Sequence, residues 1–386
     1  MPRSFDVVVV GLGAVGSAAA YHLARRGVHV VGLDQFTPPH TLGSSHGQSR
    51  IIREAYFEHP LYVPFVQRAY ELWHELEEDT GRSLLRQTGG LMIGPPNGML
   101  VHGAQRSAQI HHLRHEVLCA DAVRRRFPAL HPDEAMQAVW EPRAGVLVPE
   151  ACVEAHLQMA RRHGAHLQFN EPLTSWEADG DGVQVETTRE RYRAQRLLLC
   201  AGAWMAALLT TLRLPLTVER QVLMWFTPQR DARLFHPDHC PIYAVEYAPD
   251  RMFYGFPDLG NGVKVARHHE GESTDPERVR RTVAPEEVTG MRDLLRRFLP
   301  AADGALQSTA VCLYTNTPDE HFVIDFHPAH PQVLLASPCS GHGFKFAAAI
   351  GEVLADLLIG GHRRFDLTPF RLGRWGAATE GPRLGR

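Results

Sequence analysis

The clearest pattern lies at the start of the chain, where apolar runs alternate with small-residue turns. Phe5-Asp6-Val7-Val8-Val9-Val10 is rich in β-branched residues and reads as a strand. A turn with Gly11, Gly13 and Gly16 follows, then an apolar helix over 15–26 and a second strand over 28–33 that ends in Asp34. Phe65, Val66, Ala69, Leu72, Trp73 and Leu76 recur at helical spacing and predict a helix over 62–78. A strand is expected over 84–93, a turn at Pro95-Pro96-Asn97-Gly98, and a helical, basic span from about 100 to 145. Arg124-Arg125-Arg126 in that span reads as a solvated face.

Another helix is expected from about 150 to 163, stopping at Gly164. Strands around Leu167 and over 183–186 flank the turn Asp179-Gly180-Asp181-Gly182, and a buried strand over 197–200 runs into Ala201-Gly202-Ala203-Trp204. From 215 to about 312 strands dominate, broken by one helix near 286–298. The last third returns to α/β: a strand over 333–336, the turn Ser340-Gly341-His342-Gly343, and a helix over 344–358.

The strand–glycine turn–helix–strand–acid order over 5–34 builds a dinucleotide site from backbone geometry. Gly11 permits the tight turn, Gly13 lets the backbone approach a pyrophosphate, and Gly16 lets helix and strand pack closely. Free N–H groups at the helix start hold phosphate charge, and Asp34 stands where a carboxylate accepts from a ribose hydroxyl. The alternative is an empty doubly wound unit whose glycines serve packing alone.

Composition narrows the field. A chain of 386 residues suggests two interleaved domains, and 44% hydrophobic with 22% charged residues describes an ordinary globular protein. A net charge of −3 points to neither nucleic acid nor an anionic membrane surface. The six cysteines are scattered without a C-x-x-C pair, so neither a disulfide framework nor a zinc site is expected. With no signal-like start and no apolar run long enough to span a bilayer, the expectation is a cytoplasmic protein.

Four segments carry polar residues that packing alone does not require. Arg50 and Arg53 are spaced so that one guanidinium can face a cofactor and the other a ligand carboxylate, or can simply pair with Glu54 or Glu58. Lys264, between Val263 and Val265, is either an edge-strand gatekeeper or a fixed positive charge beside a redox centre. Cys312 on its strand is by default a small core hydrophobe. The turn at 340–343 opens a helix whose N–H groups suit an anion, or is a plain helix start. His111-His112-x-x-His115 and His236-x-x-His239-Cys240 lack convincing metal partners, and no metal is expected.

Taken together, these segments resemble the monomeric sarcosine oxidase and N-methyltryptophan oxidase family of FAD-dependent amine oxidases over nearly the whole chain. The resemblance rests on 11–16, Pro38-Pro39-His40, 46–53, Phe253-Tyr254-Gly255-Phe256-Pro257, Cys312-Leu313-Tyr314-Thr315, Pro318-Asp319-Glu320-His321-Phe322, 340–346 and 365–370. It implies a mixed α/β fold: a Rossmann-like FAD-binding domain (1–85, 146–215, 319–372), an inserted antiparallel-sheet substrate domain (86–145, 216–318) and a tail (373–386). It also implies FAD attached covalently, Cys312 matching the cysteine that forms a thioether to the ring's 8α carbon. Lys264 matches a lysine near flavin N5 that speeds oxygen reduction, and Arg50 an arginine beside the ring. Arg53 and Lys345 match the pair that binds the substrate carboxylate. His268 and Tyr254 match pocket residues, and Tyr314 a tyrosine near the pocket. Ser44, His46, Ala201, Gly202, Gly341, Gly343 and Lys345 join Gly11, Gly13, Gly16 and Asp34 as cofactor-binding candidates.

The implied reaction oxidises a secondary amino acid at its N-methyl C–N bond to an imine, hydrolysed to formaldehyde and amino acid, while O2 becomes hydrogen peroxide. The expected protein is a monomer. Two departures bear on substrate. Ser45-His46-Gly47-Gln48-Ser49 lacks the family's second histidine and Asp-Thr, and Ala244 stands where sarcosine oxidases carry a methionine over the pocket. N-methyl-L-tryptophan, proline and pipecolate therefore stay open as substrates. A dehydrogenase passing electrons to a quinone, and a flavin-holding protein without turnover, are the remaining alternatives.

Overall fold

The computed structural model describes residues 3–209, 211–362 and 364–379. The end of the expected tail, 380–386, lies outside them. The strand Arg3–Val10 is the middle of an eight-stranded sheet, paired in parallel with Val30–Leu33 on one side and Arg191–Leu199 on the other. His166–Gln168 extends the first side, also in parallel, and His330–Ser337 pairs in parallel with Arg191–Leu199. The run of valines is explained by burial on both faces. Val7 and Val9 enter the core beneath the helices, whereas Val8 and Val10 enter a second core on the opposite face.

Helices Ala14–Arg25, Pro149–Arg162 and Ala347–Ile359 pack together over the first face. They approach closely because their contact residues are small: a Cβ on Gly351 would lie 2.5 Å from the Cβ of Ala18. The helix Val63–Thr80 packs against Ala347–Ile359 and ends at Gly81, whose φ of +68° makes it a left-handed cap.

A second eight-stranded sheet takes the spatial order Leu306–Asn316, Thr217–Phe226, Val263–His268, Arg251–Asp258, Ile242–Ala248, Gly90–Gly94, Gln137–Glu141, Glu116–Cys119. All its pairs are antiparallel except Ile242–Ala248 with Gly90–Gly94. The helix Pro285–Phe298 covers one face through Met291, Leu294, Leu295 and Phe298. Three short strands, Arg50–Ile52, Gly145–Leu147 and Leu85–Gln87, form a separate sheet.

Two expectations fail here. The span 100–145 is not wholly helical: helices occupy Met99–Ile110 and Ala120–Arg126, but Glu116–Cys119 and Gln137–Glu141 are strands. The Ala138-Val139-Trp140 run is buried inside the sheet, and tertiary pairing decides its conformation. The strand expected over 84–93 is broken in two. Gly89 takes φ +72° with the Trp140 ring packed where its side chain would be. Among the described residues no helix is long and apolar enough to cross a membrane.

Candidate active site

One cavity runs between the two large sheets, from the glycine turn to the turn at 340–343. At its first end, Gly11 (φ +87°) turns so tightly that a Cβ would lie 2.5 Å from the Cys200 carbonyl oxygen, and a Cβ on Gly16 would lie 1.8 Å from the Gly11 oxygen. Gly16 is thus a packing glycine away from the cavity wall, whereas Gly11 and Gly13 line it. Leu12 N donates to Asp34 Oδ2 at 2.7 Å and Phe36 N to Oδ1 at 2.8 Å. Burial raises the Asp34 pKa, opposed by these two N–H groups. Asp34 lines the cavity, but its carboxylate also fixes the glycine turn. Ala14 N, at the helix start, donates to Ser45 Oγ at 3.1 Å, a partner that the sequence did not single out. Ala201 and Gly202 form the adjoining wall.

Halfway along, the loop at 43–50 brings Arg50 against Cys312. Arg50 Nη2 donates to Cys312 Sγ at 3.3 Å and to Ser44 O at 2.8 Å, while Nη1 donates to Ser49 O at 2.8 Å. Ser44 Oγ donates to Leu313 O at 2.6 Å, tying the loop to the strand that carries Cys312. Arg50, Ser44 and Cys312 all line the cavity. His46 does not: it is buried behind the loop, its Nε2 unpartnered, and burial followed by the charges of Arg50 and Lys264 lowers its pKa to about 3.

Lys264 also sits one layer behind the wall. Val263–His268 is an interior strand, so the edge-gatekeeper reading fails. Its Nζ donates to Gly47 O at 2.6 Å, Ser49 O at 2.8 Å and Ser49 Oγ at 3.0 Å, with the Phe256 ring centroid 4.8 Å away. Burial, then Arg50, lowers its pKa well below the usual lysine value.

The far end is cationic. Arg53, 4% exposed, is ion-paired to Glu58 at 2.6 Å, one of the two partners considered from sequence, and donates from Nη1 to Ala55 O at 3.1 Å. Its guanidinium carbon lies 4.2 Å and 4.3 Å from the Tyr56 and Phe57 ring centroids. Lys345 Nζ donates to His342 O at 2.8 Å and Tyr56 OH at 3.3 Å, and burial, followed by Arg53, brings its pKa down to about 7. Burial pushes the Glu58 carboxyl up, but Arg53, His342 and Lys345 outweigh it and hold the pKa below the usual value. Arg53, Glu58 and Lys345 line the same end of the cavity.

Tyr254, His268 and Tyr314 complete this end. His268 Nδ1 lies 3.1 Å from Tyr314 OH, and burial, then His269, keeps His268 neutral well below its ordinary pKa. Gly341 (φ +75°) packs so near them that a Cβ would lie 2.6 Å from the Tyr314 ring. A Cβ on Gly343 would lie 1.6 Å from Pro338 O, so both glycines are required by close packing as well as lining the cavity.

The glycine turn, whose Gly11 and Gly13 line the cavity, and Cys312 on the wall of the same cavity fit a flavin dinucleotide. Comparison with known proteins agrees. Residues 6–357 match the family model described as DAO, FAD dependent oxidoreductase. The chain is 47% identical to a monomeric sarcosine oxidase of Streptomyces avermitilis over 98% of its own length and 100% of that protein's. It is 37% identical to an N-methyl-L-tryptophan oxidase of Yersinia pestis, covering 96% and 99%. Among solved structures, NikD, an unusual amino acid oxidase essential for nikkomycin biosynthesis, superposes with a TM-score of 0.83 at 25% identity, covering 96% and 97%. The L-proline dehydrogenase from P. horikoshii reaches 0.84 at 21% identity, a likeness of fold, covering 97% and 98%. The glycine turn, the cavity and these matches together assign the chain to the FAD-dependent oxidoreductase family, in the branch that holds the monomeric sarcosine and N-methyl-L-tryptophan oxidases.

Proposed function

We propose that the protein is an FAD-dependent oxidase of N-methyl amino acids, oxidising the N-methyl C–N bond to an imine that water hydrolyses to formaldehyde and amino acid. The observation that carries this reading is the pairing of two buried cations, Arg53 and Lys345, in the same cavity as the dinucleotide turn. Bound FAD supplies a two-electron acceptor that O2 can reoxidise, with hydrogen peroxide as product. Gly11, Gly13, Asp34 and Arg50, which line the cavity, would hold FAD, and Cys312 would carry it as a thioether. Residues 86–145 and 216–318 form the substrate domain, a reading supported by the strands they supply to the second sheet.

A carboxylate entering a dry cavity loses its hydration, and charge-assisted hydrogen bonds from Arg53 and Lys345 replace it. Arg53 has donors beyond the one held by Glu58, so the internal pair does not exhaust it. Fixing the carboxylate at two points orients the N-methyl group, and that positioning carries much of the catalysis. The amine reacts only with its lone pair free. Arg50, Arg53 and Lys345 disfavour a further positive charge nearby and so favour the neutral amine. Neutral His268, held by Tyr314, adds a polar wall without adding charge.

Aerobic incubation with sarcosine, N-methyl-L-tryptophan, L-proline and L-pipecolate tests the reading. One of the two N-methyl substrates is expected to give formaldehyde and hydrogen peroxide in equal amounts. Peroxide from a cyclic amino acid without formaldehyde would move the substrate class, and no peroxide from any of the four would count against an oxidase.

A further inference from the structure

The loop that Lys264 touches is held from its other side by a residue the reaction scheme does not use. Gly47 and Gln48 have φ of +101° and +67°, the left-handed region that a side-chain-bearing residue such as Gln48 adopts only under constraint. A Cβ on Gly47 would lie 2.7 Å from Leu223, so the segment has no room to relax by substitution there. The constraint is Glu150. Its Oε1 accepts from Gly47 N at 2.6 Å and Gln48 N at 3.0 Å, and its Oε2 from Gln48 N at 3.2 Å. Although Glu150 stands in the first turn of Pro149–Arg162, its carboxylate reaches out to this loop.

The peptide that gives Gln48 N to Glu150 turns its oxygen, Gly47 O, the other way, and Ser49 adds two more acceptors on that side. Gly47 O, Ser49 O and Ser49 Oγ take the three N–H bonds of Lys264. A carboxylate, the peptide unit between Gly47 and Gln48 and an ammonium thus form one hydrogen-bonded chain, in which each polarised bond strengthens the next. The charged and titratable groups around Lys264 are Arg50, His46, Cys312 and Glu150. Arg50 opposes its positive charge, His46 stays neutral and Glu150 favours it, while Cys312, as the thioether of the holoenzyme, carries no charge.

We propose that Glu150 is a positioning residue for Lys264, pinning the 47–49 loop so that the buried ammonium stays cationic and fixed behind Arg50. The inference rests on the oxidase reading and on the role that the family resemblance implies for Lys264, speeding reoxidation by O2. Glu150 touches neither FAD nor substrate in this scheme. Its effect therefore falls on one half-reaction.

The test uses holoenzyme carrying Glu150→Gln, Glu150→Asp or Lys264→Met, with stopped-flow reduction by substrate and reoxidation by O2 measured separately across pH. Sulfite affinity of the oxidised flavin, read from its visible spectrum, reports the local positive charge without turnover. Glu150→Gln is expected to leave reduction within about twofold and to slow reoxidation about tenfold. It should weaken sulfite binding and move the alkaline fall-off of reoxidation down by about one pH unit, the tenfold that one unit represents. Glu150→Asp, which keeps the charge, should restore part of the rate and most of the pH limb. If Glu150→Gln does not fold, Glu150→Asp carries the test through slower reoxidation at unchanged reduction. Equal slowing of both half-reactions, or an unmoved pH limb and sulfite affinity, would overturn the proposal. Lys264→Met with normal reoxidation would overturn the role of Lys264 and this inference with it. If Lys264→Met slowed reoxidation while Glu150→Gln did not, only the inference would fall.

Discussion

Replacing Arg53 with methionine keeps much of the side chain's bulk and removes its charge, at a position that is 4% exposed and paired to Glu58. Two separate effects follow. Losing a charge-assisted hydrogen bond to the substrate carboxylate costs about 1.5–3 kcal/mol, roughly a tenfold to hundredfold rise in dissociation constant. Lys345 remains, so binding weakens without vanishing. Independently, Glu58 loses its 2.6 Å partner inside the protein, and breaking a buried ion pair this way costs about 3–5 kcal/mol of stability. The double variant Arg53→Met/Glu58→Gln removes both charges and should recover most of that stability while leaving substrate affinity low. The assays are an anaerobic titration of the flavin spectrum with a carboxylate ligand that lacks the amine, and urea denaturation of each variant. An unchanged dissociation constant in Arg53→Met would refute the carboxylate role, and stability unaffected in the single variant would refute the weight given to the Glu58 pair.

Three further outcomes are expected. Cys312→Ser should release its flavin into the supernatant on acid or heat denaturation, whereas wild-type flavin stays with the protein; flavin retained by the variant would remove Cys312 as the attachment site. Lys345, with its pKa brought down to about 7, is cationic below that pH, so substrate affinity should fall as pH rises through 7. Lys345→Met should weaken binding and flatten that dependence, and a pH profile unaltered in the variant would contradict it. His22 is buried with Nε2 unpartnered, and burial, then Arg26, holds its pKa near 3. Because the unfolded chain takes up the proton first, stability should be complete above about 6.5 and fall by roughly 1.4 kcal/mol per pH unit between 6.5 and 3 on this residue's account. His22→Gln should reduce that acid slope, measured by denaturant midpoints, and an identical slope would show that other groups control it.

Much of the fold was legible because the signals were local. Gly11 and Gly16 answer to a steric demand visible as a missing Cβ, and the valines over 7–10 record burial on both faces of a parallel sheet. The span 100–145 was misread because its strands are decided by their neighbours: Ala138-Val139-Trp140 is short and apolar, which periodicity alone does not resolve. In the site, the ion-pair reading of Arg53 holds, since it pairs with Glu58, and its place in the cavity lining leaves the carboxylate role as a proposal. Lys264 was ambiguous because edge and interior strands carry the same alternation, and only the sheet order separates them. Ser45 and Glu150 left no usable signal. Their contacts to Ala14, and to Gly47 and Gln48, join segments far apart in sequence through side chains that look like ordinary loop and helix residues.

On the proposed function, this cavity holds an N-methyl amino acid by its carboxylate and oxidises it against FAD. Anaerobic mixing of the purified protein with sarcosine and with N-methyl-L-tryptophan, followed by the visible flavin absorbance, tests it most directly. Rapid, saturable bleaching by at least one of them is expected, with colour returning when air is admitted. Flavin that dithionite reduces but that neither amine bleaches would contradict the account, leaving the fold in place and its substrate assignment wrong.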